Sequence, residues 1–195
     1  MPSVQDDLRS AGISLATDDD PPALRAECAR LARLVRASSA ITLGMAPAED
    51  DVAVPGVAMK LARAIARESH CPVGVVDALG TWGLGTTPTV DAAENGAAVT
   101  TWLLDELALL TLRVSHPSLA LPRLSACVAR EGALYGSLVV DLTGFERLGE
   151  RRAAFELLDA AVVVARSGRT TTRQVRDALH DVPDGRGLGV MLTGA

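Results

Sequence analysis

Short apolar runs alternating with amphipathic stretches predict a doubly wound α/β fold, a mostly parallel sheet with helices on both faces. Two observations carry that expectation. The runs AITLG (40–44), PVGVVDA (72–78), SLVVDL (137–142), DAAVVVA (159–165) and LGVML (188–192) are too continuously apolar for half-exposed strands. The stretches between them place apolar residues at helical spacing, which calls for right-handed crossovers.

Taken in order, residues 1–19 are polar and aperiodic and are expected to form a flexible lead-in, leaving 20–195 as a single domain. Asp20, Pro21 and Pro22 then mark the start of a helix running to about Arg36. A second helix is expected over Pro55–Ser69, where Val57, Leu61 and Ile65 recur at intervals of four behind an initial proline. The segment 97–112, AAVTTWLLDELALLTL, predicts another helix, and PSLALP (117–122) offers a further strand. Helices follow over 124–134 and 147–158, and Thr170, Thr171 or Thr172 caps a last one ending near His180.

A chain of 195 residues, 48% hydrophobic and 22% charged, suits one well-buried core. Its net charge of -5 argues against a nucleic-acid partner, because phosphate neutralisation needs clustered cations. Cys28, Cys71 and Cys127 are odd in number and far apart, so they read as buried thiols of a reducing compartment. Neither a secretory leader nor a membrane span is apparent, which implies a cytoplasmic protein with no direct membrane insertion. Lys60 is the sole lysine, so any chemistry that needs one must use it.

The stretch LGMAPAEDDVAVPGVAMKLARAIA (43–66) has the layout of a phosphate-binding loop: an apolar strand, Gly44, a loop and an amphipathic helix. In such a loop, backbone amides at the helix start cradle phosphates, a lysine neutralises them and a Ser/Thr holds magnesium. The segment resembles the ParA/MinD-like ATPases and, most nearly, the bacterial tyrosine kinases of capsule and exopolysaccharide assembly, whose helix reads like GKSTVAANLARALA. Aligned without gaps, the lysine position falls on Val54 and the serine position on Pro55. Glu49, Asp50 and Asp51 precede the helix, where the positive end of its dipole draws anions, and are expected to take up that site themselves or to lie as a solvated, capping loop. Two like charges ~4 Å apart repel by roughly 4 kcal/mol at an effective dielectric of 20, enough to oppose a triphosphate.

Other segments continue the resemblance. VGVVDA matches the family's second aspartate motif with Asp77 kept and Leu79 at its second position; SLVVDLTG matches the strand ending in Asp-Thr-Pro-Pro with Asp141 kept and both prolines missing. The closing 160–195 resembles the family's last strand, helix and strand, with Thr193 where an asparagine often contacts adenine. In ECARLAR, Glu27, Arg30 and Arg33 reproduce the E-x-x-R-x-x-R pattern through which the capsule kinases assemble into rings. Spacing by three aligns them on one helix face. Tyr135 is the single tyrosine, so no tyrosine-rich acceptor tail is visible.

GTWGLGTT (80–87) has phosphate-loop spacing with Thr86 in place of lysine, but Pro88 forbids an immediate helix, and a flexible loop is expected. Trp82 and Trp102 read as packing or partner contacts, and His70, His116 and His180 as surface or capping residues. No metal site, catalytic residue or cofactor is expected. The resemblance implies a catalytically inactive pseudo-ATPase or pseudo-tyrosine kinase: an oligomerising adaptor, recruited to the inner membrane by the cytoplasmic tail of a polysaccharide co-polymerase. The alternatives are an unorthodox Mg-dependent NTPase or kinase using Asp77 and Asp141, and a ParA-like positioning scaffold unrelated to polysaccharide.

Overall fold

Seven strands form one sheet in the order β3-β4-β2-β5-β1-β6-β7 in a computed structural model that describes residues 20–82 and 98–194, with 8–10, 13 and 15. The strands are β1 (Thr42–Pro47), β2 (Val73–Asp77), β3 (Val99–Leu104), β4 (Leu107–Thr111), β5 (Ser137–Asp141), β6 (Ala160–Arg166) and β7 (Gly187–Thr193). All neighbours run parallel except β3 and β4. Besides the helical residues 8–10, the helices among the described residues are α1 (Pro22–Ser38), α2 (Val54–Ser69), α3 (Ala120–Glu131), α4 (Arg151–Glu156) and α5 (Thr172–His180).

The period of two along each strand sorts the core between two faces. Leu43, Met45, Val75, Val139 and Val162 point to the layer formed by α1 and α2. Ala46, Val76, Leu138, Val140 and Ala161 point to the layer under α3 and α4. The doubly wound fold expected from the sequence is therefore the observed one. α2 follows from its pattern: Val57, Leu61 and Ile65 are buried, Pro55 sits in the first turn, and His70 ends the helix at φ 55. Thr171 is the cap of α5, accepting from the Gln174 N–H, while the Gln174 side chain accepts from the Thr171 N–H.

Three expectations about elements and one about a cysteine are corrected. The stretch 97–112 is not a helix; from Val99 onward it is the antiparallel β3–β4 hairpin at the sheet edge. Its leucines serve alternating faces, with Leu107 and Leu109 under α2 and Leu110 and Leu112 under α3, an arrangement that only a strand permits. PSLALP is not a strand either: Pro117–Leu119 is a 3-10 turn leading into α3. The helix expected over 147–158 shrinks to Arg151–Glu156, because positive φ at Gly144 and Gly149 folds the preceding residues into turns. Cys28 and Cys127 are buried, but Cys71 is exposed.

Of the lead-in, Leu8 and Ile13 are buried in the core shared by α1 and α2. His116 caps the 3-10 turn by accepting from the Ser118 N–H. Trp102 stands on edge strand β3, 56% exposed, with its ring centroid 6.1 Å from that of Tyr135. Among the described residues, no helix is long and apolar enough to cross a membrane.

Candidate functional site

In open α/β sheets ligands bind beyond the carboxyl ends of the strands. Here those ends bring together the loop after β1, the start of α2, Asp77 of β2 and Asp141 of β5. Gly44, counted above as a nucleotide-loop glycine, does not belong to this group. It lies within β1, pairing with Val140 and Ala161, and a Cβ there would come within 2.7 Å of a Leu158 methyl. The strand continues through Met45, Ala46 and Pro47, all buried, so the loop begins only at Ala48.

The three acids of that loop do not occupy the start of α2. Glu49 accepts from the Thr170 hydroxyl at 2.6 Å and from Gln174 Nε2 at 3.0 Å, which ties the loop to the first turn of α5. Asp50 pairs with Arg147 at 3.3 Å, and the Asp51 carbonyl accepts from the Arg166 guanidinium. Ala53 caps α2 without any side-chain hydrogen bond, and no acid stands in the first turn. The carboxylates of Glu49 and Asp50 are drawn away by a hydroxyl, an amide and a guanidinium outside α2. Val54 is fully buried and Pro55 half-buried at the positions of the missing lysine and serine. Lys60 pairs with the buried Asp20.

Asp77 and Asp141 are neighbours in register on β2 and β5, both nearly inaccessible. Their carboxylates are joined through Trp82. The Trp82 N–H donates to Asp77 Oδ2 at 3.0 Å, and its indole Nε1–H donates to Asp141 Oδ2 at 2.8 Å. Thr81 supplies an N–H to Asp77 Oδ1 at 3.0 Å; Thr143 supplies its N–H and hydroxyl to Asp141 Oδ1 at 2.8 and 2.6 Å. Every oxygen of the two carboxylates thus accepts at least one hydrogen bond from this chain.

Gly80 makes the return possible. Its φ of +68 turns the chain back over Asp77, and a Cβ there would meet the Leu112 carbonyl oxygen at 2.5 Å. Trp82 itself is 5% exposed and belongs to the core cluster under α2. The expected packing role was right in kind, but the bridge between the aspartates was not foreseen. Its signal was present as D-A-L-G-T-W, an aspartate followed by a turn glycine and a donor-bearing aromatic. The rest of GTWGLGTT, from residue 83, lies outside the described residues.

Burial pushes the Asp77 carboxyl up to about 6; the charge of Asp141 adds to this, and the N–H groups of Trp82, Thr81 and Gly80 oppose it. Burial likewise raises Asp141 against the hydrogen bonds of Thr143 and Trp82, and the charge of Glu146 raises it further. Among the described residues no group of three or more His, Cys, Asp or Glu side chains is placed to hold a metal ion.

The remaining candidates lie elsewhere. Glu27 and Arg30 form a bidentate pair within α1, at 2.5 and 2.8 Å, and this hydrogen bonding lowers the Glu27 carboxyl. Arg33 on the same helix is exposed and has no ion pair among the described residues. The Arg30 guanidinium lies over Gly189 of β7, beside a groove of about 420 Å³ lined by Leu24, Glu27, Val190 and Leu192. Thr193 ends β7, its hydroxyl within 3.4 Å of the Ala165 carbonyl.

Among solved structures, the kinase domain of the Escherichia coli tyrosine kinase ETK superposes with a TM-score of 0.66 at 16% identity, covering 97% of this chain and 93% of that one. The VpsO kinase domain gives 0.67 at 15% identity, covering 88% and 96%. The BceF tyrosine kinase domain gives 0.65 at 16% identity, covering 88% and 76%. The fold is that of a bacterial tyrosine kinase domain. No protein-family model and no curated protein matches the sequence.

Two outcomes follow from the tryptophan bridge in this tyrosine-kinase-like fold. Trp82→Phe should lower unfolding stability by about 1–3 kcal/mol in urea titration, because it leaves a buried Asp141 oxygen without its donor; an unchanged midpoint would contradict the bridge. Because the folded-state pKa of Asp77 is raised, its contribution is complete below the ordinary value of 3.8 and is lost as pH climbs through about 6. Asp77→Asn cannot ionise, so its stability relative to the parent should improve between pH 4 and 7, on the order of 2–3 kcal/mol. Parallel pH profiles for the two proteins would exclude this.

Proposed function

We propose that the chain is a catalytically inactive, tyrosine-kinase-like adaptor that acts through protein contacts in bacterial exopolysaccharide or capsule assembly. The observation that carries this reading is Trp82, seated between Asp77 and Asp141 and hydrogen-bonded to both. In the kinases that the sequence resembles, the aspartates of the motif in which Asp77 is kept serve magnesium and the attacking group. Here their oxygens are turned to internal donors.

A magnesium nucleotide does not fit the residues present. Val54 and Pro55 supply neither the cation nor the hydroxyl that a phosphate loop needs at the helix start. Arg147 and Arg166 approach the same loop but are engaged by Asp50 and by the Asp51 carbonyl. Any anion entering would lie close to Glu49, Asp50 and Asp51 as well.

The polysaccharide setting rests on the motif resemblance and on the fold shared with the tyrosine kinase domains. In that setting the adaptor is a cytoplasmic homo-oligomer brought to the inner membrane by the cytoplasmic tail of a polysaccharide co-polymerase. Glu27, Arg30 and Arg33 are the candidate contacts between subunits. Support for this comes from the exposed Arg33 and from Leu192, 60% exposed on the adjoining groove.

Millimolar Mg-ATP should leave the melting temperature unchanged. A ligand held at 100 times its dissociation constant would add about 2.7 kcal/mol, an easily seen shift. A rise of several degrees that vanishes in Asp141→Asn would overturn the inactive reading. For the adaptor half, Arg30→Ala should convert an oligomer to a monomer in analytical ultracentrifugation. A monomeric parent, or an unaffected oligomer in the variant, would remove the self-association claim.

A further inference from the structure

We propose that the cleft between α1 and α2 binds a dianionic phosphate group, free or carried on a phosphorylated side chain, through Arg25, Arg63 and Arg67. The cleft encloses about 240 Å³ and shares no lining residue with the crevice at the strand ends. On α2, Lys60, Arg63, Ala64 and Arg67 fall at positions i, i+3, i+4 and i+7, so one helix face supplies three cations. Opposite, α1 presents Arg25 beside Cys28 and Ala29.

The charges of this cleft are unequal. Among the described lining residues, Arg25, Lys60, Arg63 and Arg67 face Asp20 and Glu68, four cations against two carboxylates, a surplus of two in a chain whose net charge is -5. Lys60 is satisfied by Asp20, and Glu68 already takes Arg36 at 3.0 Å. Arg63 gives one guanidinium N–H to the Leu15 carbonyl, while its Nε is buried and has no acceptor. Among the described residues the side chains of Arg25 and Arg67 have neither an ion pair nor a hydrogen bond.

These donors suit an oxyanion. Guanidinium forks match phosphate oxygens in pairs, and a phosphate monoester carries about -1.5 to -2 at neutral pH, close to the local surplus. Cys28 offers no competing anion, since burial pushes its thiol up to about 12.

The test is a titration of the full-length, ¹⁵N-labelled chain without magnesium or nucleotide. Sodium phosphate and phosphotyrosyl and phosphoseryl peptides are compared with sodium chloride at matched ionic strength. Saturable shifts of the Arg63–Glu68 amides are expected with phosphate and not with chloride. The surface double variant Arg25→Gln/Arg67→Gln should weaken binding at least about ten-fold, with its melting temperature in chloride alone reporting that it folds. Equal affinity for phosphate and peptides assigns the site to the free anion; tighter peptide binding assigns it to a phosphorylated segment. Shifts that follow ionic strength, fail to saturate, or persist unchanged in the double variant overturn the proposal. An ATP-induced melting shift that is lost in this variant but kept in Asp141→Asn belongs to the cleft, so the two readings fail separately.

Discussion

Two carboxylates side by side at the end of a parallel sheet need donors, and the indole N–H of Trp82 reaching Asp141 is the constraint around which this end of the molecule is arranged. Burial raises both carboxyls, and hydrogen bonds from Trp82, Thr81 and Thr143 offset only part of that rise. For the indole to arrive, the chain must reverse directly after β2, which a left-handed Gly80 under the Leu112 carbonyl allows. A side chain that packs against the α2 layer thereby also closes the space between the two aspartates.

The opposite end of the sheet is fastened by a carboxylate too, with the opposite electrostatic outcome. Asp159 accepts from the Ile41 and Thr42 N–H groups and from the Thr42 hydroxyl, tying the beginning of β1 to β6. Burial pushes that carboxyl up, but these donors together with Arg186 outweigh it and leave the acid below its ordinary range. Asp159 is exposed whereas Asp77 is sealed, so solvent access separates two acids with similar backbone donors. Strand-end aspartates in one sheet can thus serve as a simple clamp at one end and as part of a closed network at the other.

The legible parts of the sequence were those in which a single local rule suffices. Five of the strands, together with α1, α2 and α5, followed from apolar continuity, helical periodicity, proline and threonine caps. The β3–β4 hairpin was not legible, because WLLDELALL satisfies helical spacing as readily as it satisfies two-sided burial in a strand. Only the partner strand β2 decides between them. Gly44 misled for a similar reason: a glycine after apolar residues reads as the end of a strand, whereas here it clears room for Phe155 and Leu158 on the neighbouring face.

The sequence by itself determined the doubly wound architecture, the absence of a lysine and a hydroxyl at the start of α2, and the placing of two aspartates at strand ends, since each depends on residue identity and short-range spacing. Tertiary structure alone decided where the charges point. Glu49 is drawn to α5 across 121 and 125 residues of sequence, Asp50 to Arg147, and Asp141 to a tryptophan 59 residues away. Hydrogen bonds and ion pairs are chosen by distance in space, and that distance does not exist until the sheet has brought its strand ends together.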